Sequence, residues 1–255
     1  MMKSYIFVHQ GVSDEIEFAL ALLGYIVIRL PSFGALGPYV CCHPDSLLFP
    51  LPDGRLLMHE NYYRENRELF DRTGLRFALT DEPVGAEYPQ DVLLNALALR
   101  DVLYGRLDSV SKTVKAAYNK HVGVKQGYAR CSVLALGERA AVTADRGLEK
   151  ALLSQGASVL MLPPGGIILR AAAPSGFDEK GKKIKPVGDA VRCDGFIGGS
   201  GVMLGEDTCG FFGDITAYKH YEQLQSFARS HGVRLVSLGT GPLEDMGGAV
   251  IAGLK

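Results

Sequence analysis

The sequence lacks the excess of positive charge that is typical of nucleic-acid-binding proteins. Its 255 residues carry 27 Lys and Arg against 28 Asp and Glu, so the formal net charge is −1. Binding a polyanion would require a clustered basic excess. A run of lysines at 180–185 follows Asp178 and Glu179 in a segment that contains Gly and Pro, which is typical of a solvated loop. We therefore expect no nucleic-acid partner.

Membrane-spanning runs, leader signals and metal-ligand spacings are also missing. No apolar run reaches the roughly 18 residues of a membrane span, and Met1–Gln10 lacks the charged region and cleavage site of a signal peptide. The cysteines are odd in number and follow no metal-ligand spacing; they are Cys41, Cys42, Cys131, Cys193 and Cys209. These absences predict a cytoplasmic protein with reduced thiols and no membrane, metal or cofactor.

What the chain does have is a weak five-fold internal repeat of a helix, a strand and a two-strand hairpin. The hairpin openings show it best, and we expect each first hairpin strand to start within its opening. They are His43–Leu48, Pro89–Leu94, Ala129–Leu134, Gly195–Met203 and Glu244–Ile251. Self-similarity at a period of roughly 40–50 residues is typical of supersecondary units that close into a ring or a stack.

The ends of the chain indicate how the repeats close. The fifth unit lacks a second hairpin strand, and the N-terminal strand Ser4–His9 lacks a hairpin partner, so pairing it with Ala249–Leu254 completes the unit. An open sheet would leave both edges exposed, which proteins avoid. We predict an α/β fold in which residues 1–255 form one five-bladed α/β propeller, with a loop insertion at about 168–192 in the fourth repeat. The alternative is two αβ sandwich domains.

Helices are predicted where apolar residues recur at helical spacing between a capping residue and a glycine. The predicted helices begin at Ser13 or Asp14 and then span Tyr63–Arg72, Ser111–His121, Gly147–Gln155 and Ala217–Ser230. The continuous apolar run Tyr25–Leu30 predicts a strand buried on both faces. The third repeat marks its single strand poorly, and we place it around Val124–Gly127.

Five short strings resemble the pentein superfamily, the five-bladed α/β propellers of guanidino-group-modifying enzymes. They are His43–Asp45, Gly127–Ser132, Gly195–Gly199, Gly213–Asp214 and Pro242–Asp245. The chain looks most similar to an uncharacterised bacterial pentein-like family, and the resemblance covers essentially its whole length. It implies the propeller fold, together with either guanidino chemistry or non-catalytic binding of the kind shown by ribosome anti-association factors.

The sequence departs from the catalytic penteins at their two central positions. Those enzymes carry a nucleophilic cysteine after a glycine-rich stretch in the final repeat, and a histidine on a hairpin before the last helix. The matching stretches here, Gly247–Ile251 and Asp194–Gly199, contain neither residue. This departure argues against deiminase chemistry being carried over intact.

Aligning the hairpin openings places four side chains at equivalent positions of the repeats, namely Asp45, Asp91, Cys131 and Asp245. A ring fold would direct such positions to the mouth of its central channel. Carboxylates gathered there suit a guanidinium or amine, because charge-assisted pairs are strong. We therefore predict that these three aspartates, together with Glu244, bind a cationic ligand.

Cys131 is the candidate nucleophile, and His43, two residues before Asp45, is the candidate acid–base group. Each has a structural alternative. Cys131 starts an apolar strand, where a thiol is often merely buried, and His43 precedes a proline, where a histidine commonly bonds backbone. An arginine partner such as Arg130 or Arg192 would make the carboxylate cluster structural.

Asp145 and Asp214 each end a hairpin strand and precede a helix, which predicts helix caps rather than site residues. The functional prediction is a non-catalytic or remnant-site protein that binds a small guanidino or amino cation or a macromolecular partner, including a further copy of the chain. The alternative is a hydrolase or amidinotransferase that acts on a guanidino compound through Cys131.

Overall fold

The computed structural model describes residues 4–171 and 193–253. The predicted insertion at 168–192 starts with a short strand at Ile168–Leu169, and its residues 172–192 lie outside the described residues. Within the described ranges, none of the helices has both the length and the apolar character needed to cross a bilayer.

The described residues form eighteen short strands and seven α-helices. In chain order the strands are β1 (Ser4–His9), β2 (Tyr25–Leu30), β3 (Phe49–Pro50), β4 (Leu56–His59), β5 (Phe77–Thr80), β6 (Leu97–Leu99), β7 (Val102–Gly105), β8 (Lys120–Gly123), β9 (Val133–Leu136), β10 (Ala140–Thr143), β11 (Ser158–Met161), β12 (Ile168–Leu169), β13 (Cys193–Asp194), β14 (Gly201–Met203), β15 (Thr208–Phe211), β16 (Arg234–Ser237), β17 (Glu244–Asp245) and β18 (Val250–Gly253). The helices are α1 (Asp14–Leu22), α2 (Pro44–Leu47), α3 (Glu60–Glu65), α4 (Arg67–Asp71), α5 (Lys112–Ala116), α6 (Arg146–Ser154) and α7 (Tyr221–Ser230).

Five of the three-stranded sheets are built around a central strand of four or six residues and share one strand arrangement. In each, a first strand runs antiparallel to a central strand, and a third strand runs parallel to it. Consecutive strands form four of them, β3-β4-β5, β6-β7-β8, β9-β10-β11 and β14-β15-β16. The fifth is β18-β1-β2, in which Ser4 pairs with Gly253 and Phe7 with Val250. The predicted pairing of the first and last strands is therefore confirmed.

The sixth sheet is small and was not predicted. Its strands β13, β12 and β17 have two residues each, and Leu169 pairs with Asp245. Two-residue strands carry no readable period of alternation, so sequence patterns cannot identify them. The sheet matters for function because it anchors the segment that carries Asp245.

How deeply a strand is buried depends on its place in its sheet. Every residue of the central strands β4, β7 and β10 is buried, since each has neighbours on both sides. The third strands are half exposed because they pair on one edge. The prediction that Tyr25–Leu30 is buried on both faces is wrong: only Leu30 of β2 is buried, and Ile26 is 38% exposed.

Three predicted helices differ from the observed ones. The chain leaves helical geometry at Asn66, with φ −122° and ψ 27°, so the helix predicted in the second repeat is divided into α3 and α4. In the third repeat α5 ends at Ala116, and β8 starts at Lys120 because pairing with β7 overrides helical propensity. The strand therefore ends just before Val124–Gly127, so its predicted position is wrong. The fifth helix begins late, at Tyr221.

The two aspartates predicted to cap helices each lie at the start of a helix. Asp145 is the N-cap of α6, where its carboxylate accepts a hydrogen bond of 2.8 Å from the Leu148 backbone N–H. Asp214 accepts one of 2.9 Å from Thr216 at the start of the 3-10 helix Ile215–Ala217. These bonds satisfy donors that a helix start leaves free.

The first strand starts after the opening in the first two repeats and within the last few residues of the opening in the other three. The opening at His43 forms α2, and β3 begins only at Phe49. The fourth opening contains the 3-10 helix Gly198–Ser200, after which β14 begins. Cys131 accordingly lies in a turn before β9 rather than in the strand. A turn can direct polar side chains into the interior, so the strand that follows it does not have to carry them.

Candidate functional site

Four of the predicted site residues come together in the interior: His43, Asp45, Cys131 and Asp245. We call them the central cluster. Their exposed fractions are 1%, 1%, 3% and 3% respectively. Each side chain comes from a hairpin opening: the first opening contributes two, and the third and the fifth contribute one each. The cluster is therefore polar and enclosed.

Backbone hydrogen bonds between the openings hold the cluster in place. Gly199 donates its N–H to the carbonyl of Cys131 at 3.0 Å, and its own carbonyl accepts N–H bonds from Met246 and Gly248. Asp45 donates its N–H to the carbonyl of Gly247 at 3.2 Å. Four separate openings are thereby tied together by main chain, which limits how far their side chains can move apart.

Asp245 is the most connected member of the cluster. Its Oδ2 accepts a hydrogen bond of 2.8 Å from the backbone N–H of Phe196, and its Oδ1 accepts one of 3.0 Å from that of Gly247. The thiol of Cys131 lies 3.3 Å from Oδ1 and 3.4 Å from Oδ2, where it donates to the carboxylate. The Nδ1 atom of His43 is 4.0 Å from Oδ1. Backbone donors therefore orient this carboxylate.

His43 is buried without using its ring nitrogens. Neither Nδ1 nor Nε2 has a hydrogen-bond partner among the described residues. Nδ1 lies 4.0 Å from oxygen atoms of both Asp45 and Asp245, and the ring meets that of His9 edge to face at 5.6 Å. Burial, and then the neighbouring His9, lower the pKa of His43 well below its usual value, so the imidazole is neutral. Buried polar atoms normally find partners, so this side chain requires an explanation.

The cluster shifts the pKa values of its acidic groups upward. Burial raises the pKa of Asp45 to about 6, against the opposing attraction of Arg130. Burial likewise raises the pKa of Asp245 to about 7, and repulsion from Asp45 adds to the increase. Burial, followed by the charges of both aspartates, raises the pKa of the Cys131 thiol well above its ordinary value. The sulfur is therefore a protonated thiol at neutral pH.

Arg130 supplies the positive charge nearest to the cluster. Its Nη1 donates to the carbonyl of Leu48 at 3.2 Å, and its Nη2 donates to that of Ala249 at 3.0 Å. Its charge attracts Asp45, as the pKa of that carboxyl shows. Of the two arginines considered as structural partners, Arg130 holds this place, whereas Arg192 lies outside the described residues.

Sequence reasoning missed Asn95, whose side chain holds the backbone at Arg130 and Cys131. Its side chain is completely buried. Its Oδ1 accepts N–H bonds from Arg130 at 3.1 Å and from Cys131 at 3.2 Å, and its amide donates to the Ser46 hydroxyl at 3.3 Å. The signal that could have found it is a single polar residue inside the apolar run Val92–Leu99.

The glycines of the fourth and fifth openings allow backbone to approach the cluster. A Cβ atom at Gly199 would lie 1.8 Å from Asp245 Oδ1 and 2.8 Å from Cys131 Sγ. One at Gly247, whose φ is +68°, would lie 2.4 Å from the Cβ of His43. Because any larger residue would collide with the cluster, these glycines account for the glycine-rich pattern of both openings.

Two predicted ligand-binding residues have other partners. Asp91 accepts a hydrogen bond from the Tyr128 hydroxyl, and burial raises the pKa of its carboxyl. Glu244 pairs with Arg170 at 2.9 Å. The position of Asp91 in its opening matches that of Asp45, but the opening around it turns differently and leads directly into Asn95, which takes the inner place.

A cavity of about 280 Å³ adjoins the cluster. Asp45, Arg130, Gly198, Gly247 and Gly248 belong to its lining. The rest of its wall comes from the first strands of all five similar sheets or from residues beside them, namely Phe49, Pro50, Ala96, Leu97, Ala98, Val133, Leu134, Ala135, Gly201, Val202, Met203, Ala249 and Ile251. One mostly apolar cavity thus has a carboxylate and a guanidinium in its wall.

Comparison with known proteins places the chain in a family. Residues 7–177 and 192–250 match the family of unknown function DUF6873. The chain belongs to this family. No curated protein matches it, so the family assignment brings no assigned activity with it.

Solved structures show where the fold occurs elsewhere. The chain is similar to SxtG, an amidinotransferase of the saxitoxin biosynthetic pathway from Microseira wollei, with 9% identity, a TM-score of 0.53, and coverage of 92% of this chain and 88% of that one. An agmatine deiminase from C. jejuni with substrate bound gives 10% identity, a TM-score of 0.54, and coverage of 100% and 98%. DDAH from Pseudomonas aeruginosa, complexed with citrulline, gives 9%, 0.51, and 100% of both chains.

At such low identity these similarities concern the fold alone. They show a mixed α/β fold shared with amidinotransferase, DDAH and agmatine deiminase structures. The α/β class of the fold predicted from the sequence is therefore confirmed. Activity has to be argued from the residues of this chain, because one fold hosts many functions.

Proposed function

We propose that the five similar sheets are the blades of a five-bladed propeller, and that the cavity of about 280 Å³ is its central channel. Each of the five sheets contributes its first strand, or a residue beside it, to the cavity wall. Pairing of β1 with β18 joins the ends of the chain, as closure of a ring requires. The central cluster then lies on the propeller axis, where all repeats meet.

We further propose that the protein is a non-catalytic binder of a small cation, and that the cation lies at the central cluster. The observation that carries this proposal is an imbalance of charge. Arg130 attracts Asp45, His43 is neutral, and Asp245 forms no ion pair with a lysine or arginine among the described residues. Buried charges are normally paired or coordinate a metal. Asp245, whose pKa is raised to about 7, therefore remains for a cation to balance whenever it is ionised.

Enclosure of the cluster argues for binding rather than catalysis. A guanidino substrate must bring its central carbon to the nucleophilic sulfur. The Cys131 side chain is 3% exposed, its thiol is directed at Asp245, and the Gly199 backbone closes the space beside it. In the described part of the chain the guanidinium beside the cluster is that of Arg130, which donates to two backbone carbonyls.

Thermal unfolding in the presence of small cations tests the proposal. Guanidinium, methylguanidine, agmatine, alkylamines and divalent metal chlorides would be compared at constant ionic strength. A cation present at roughly 100 times its dissociation constant should add about 2.7 kcal/mol to the free energy of unfolding. The Asp245→Asn variant should lose this gain, and Asp81→Asn, which changes an exposed aspartate, should keep it. A panel in which no cation stabilises the wild type more than Asp245→Asn would reject the proposal.

A guanidino-modifying hydrolase or amidinotransferase is the second candidate, because a thiol, a histidine and carboxylates do converge. In that case Cys131 would be the nucleophile and His43 the acid–base group. A catalytic cysteine exposes thiolate near neutral pH and reacts quickly with alkylating reagents. We expect iodoacetamide to leave Cys131 unmodified in the native protein and to modify it after unfolding in urea. Rapid modification of the native protein, mapped by mass spectrometry, would favour the enzyme instead.

A further inference from the structure

Three different metal-ligating side chains meet at one point of the central cluster. A ring nitrogen of His43, the sulfur of Cys131 and a carboxylate oxygen of Asp245 all lie within 4.8 Å of one another. The sulfur is 3.3 Å from Asp245 Oδ1, and His43 Nδ1 is 4.0 Å from the same oxygen. Ligand atoms around a tetrahedral zinc ion are about 3.3–3.7 Å apart, given bonds of roughly 2.0–2.3 Å. The sulfur and the Asp245 oxygen already have this spacing, and an approach of the His43 ring by up to roughly 1 Å would complete a coordination sphere.

The unused ring of His43 is an independent observation that points to a ligand. It is 1% exposed, and neither nitrogen has a hydrogen-bond partner in the described part of the chain. A neutral imidazole always has one nitrogen lone pair available, and this is the form in which histidine binds metals. Coordination by Nδ1 would satisfy a buried polar atom that the protein itself leaves without a partner.

Charge balance favours a divalent ion. Arg130 is bound by the carbonyls of Leu48 and Ala249, and Asp245 forms no ion pair with a lysine or arginine in the described ranges. When a divalent ion binds, the Cys131 thiol releases its proton to solvent and its sulfur forms a bond to the metal. The thiolate and the Asp245 carboxylate then balance the two positive charges, and His43 adds none. The enclosed site becomes neutral overall, as a buried charged group requires.

The space at the cluster fits an ion better than an organic cation. A single Cβ atom at Gly199 would collide with Asp245 and with the sulfur, and one at Gly247 would collide with His43. A planar guanidinium has several heavy atoms, whereas an ion occupies only the point between its ligands. The mixture of nitrogen, sulfur and oxygen donors suits zinc-type metals rather than Mg²⁺ or Ca²⁺, which prefer oxygen alone.

From these observations we infer that the cation of the central cluster is a divalent transition-metal ion of the zinc type, bound by His43, Cys131 and Asp245. This inference rests on the proposed function and names the ligand of the same site. Asp45 is placed to support the fourth position, since its Oδ1 lies 4.0 Å from the Nδ1 atom of His43. Sequence spacing predicted no metal because the three ligands come from three separate repeats.

Cobalt substitution and metal analysis test the inference. The purified full-length protein would be analysed for bound metal, stripped with a chelator and titrated with Co²⁺. We expect one ion per chain, a near-ultraviolet thiolate-to-cobalt charge-transfer band, and the intense visible bands of a tetrahedral centre. Cys131→Ser should lose the charge-transfer band. Cys41→Ser, which removes a thiol of the adjacent Cys41–Cys42 pair, should retain it.

Each result decides the matter. A wild-type protein that binds neither Co²⁺ nor Zn²⁺, or that shows no thiolate band, would overturn the inference, and so would an unchanged band in Cys131→Ser. If that variant fails to fold, X-ray absorption on the zinc-loaded wild type decides instead, with one sulfur among lighter ligand atoms expected. If no metal binds but an organic cation stabilises the protein and this effect requires Asp245, the metal is rejected and the proposed function stands. Failure with every cation would reject both.

Discussion

Replacement of Asn95 by alanine should destabilise the protein strongly, because one side-chain oxygen serves two buried backbone donors. Asn95 Oδ1 accepts the N–H groups of Arg130 and Cys131, at 3.1 Å and 3.2 Å. A buried donor left without an acceptor costs about 1–3 kcal/mol. Two such donors give roughly 2–6 kcal/mol, a large part of the 5–15 kcal/mol that typically separates a folded from an unfolded domain.

Equilibrium unfolding in urea, followed by circular dichroism, measures this loss. Asn95→Ala should lower the midpoint of unfolding without changing the dependence on urea concentration, since the area exposed on unfolding stays nearly constant. Asn61→Ala makes the same chemical change at an exposed position and should alter the free energy of unfolding by less than about 0.5 kcal/mol. A loss below about 1 kcal/mol in Asn95→Ala would show that the two N–H groups find other acceptors, and the account of Asn95 would be wrong.

Two further changes test the close approach at the cluster and a polar contact far from it. Gly199→Ala should reduce the free energy of unfolding by about 1–3 kcal/mol or more, because its Cβ would lie 1.8 Å from Asp245 Oδ1. Glu82→Gln should cost about 1–2 kcal/mol at pH 7, because the Glu82 carboxylate accepts hydrogen bonds from the Ser111 hydroxyl and the Lys112 backbone N–H. Burial alone would raise the pKa of Glu82, but these bonds outweigh it and lower the pKa. The stabilisation by ionised Glu82 is therefore fully present above the ordinary glutamate range and disappears as the pH falls below it.

Matched measurements decide both results. Gly34→Ala adds a methyl group where nothing lies within 4 Å, so urea unfolding should distinguish it clearly from Gly199→Ala. Equal stability of the two variants would contradict the packing argument. For Glu82, unfolding is measured for wild type and variant across acidic and neutral pH. A difference that stays constant as the pH falls through the glutamate range would contradict the role of the ionised carboxylate.

Repetition and capping could be predicted from the sequence because they are local. Apolar spacing and a serine or aspartate cap located α1 and α6, whose N-caps are Ser13 and Asp145. Counting strands correctly paired the first strand with the last. The boundaries in the third repeat were predicted wrongly because Lys120–Gly123 is polar, and it becomes a strand only through pairing with β7. Propensity is a weak guide where a neighbouring strand supplies the hydrogen bonds.

The central cluster, too, could be predicted from the sequence only in part. Comparison of the hairpin openings selected Asp45, Cys131 and Asp245, yet it selected Asp91 by the same rule, and that side chain bonds to Tyr128 instead. Asn95 belonged to no aligned position, although it holds the backbone of Cys131 in place. Alignment of repeats finds equivalent positions along the chain but does not determine how each turn directs its side chains.

The sequence by itself determined the α/β class of the fold and the pairing of the first strand with the last, because these follow from patterns that can be read along the chain. The tertiary structure alone decided that a thiol and a carboxylate 114 residues apart would meet at 3.3 Å, beside a histidine whose ring nitrogens have no hydrogen-bond partner among the described residues. It also decided their enclosure, which depends on glycine backbone passing within contact distance. Spatial convergence and burial arise from packing between repeats, and no spacing within a single repeat records them.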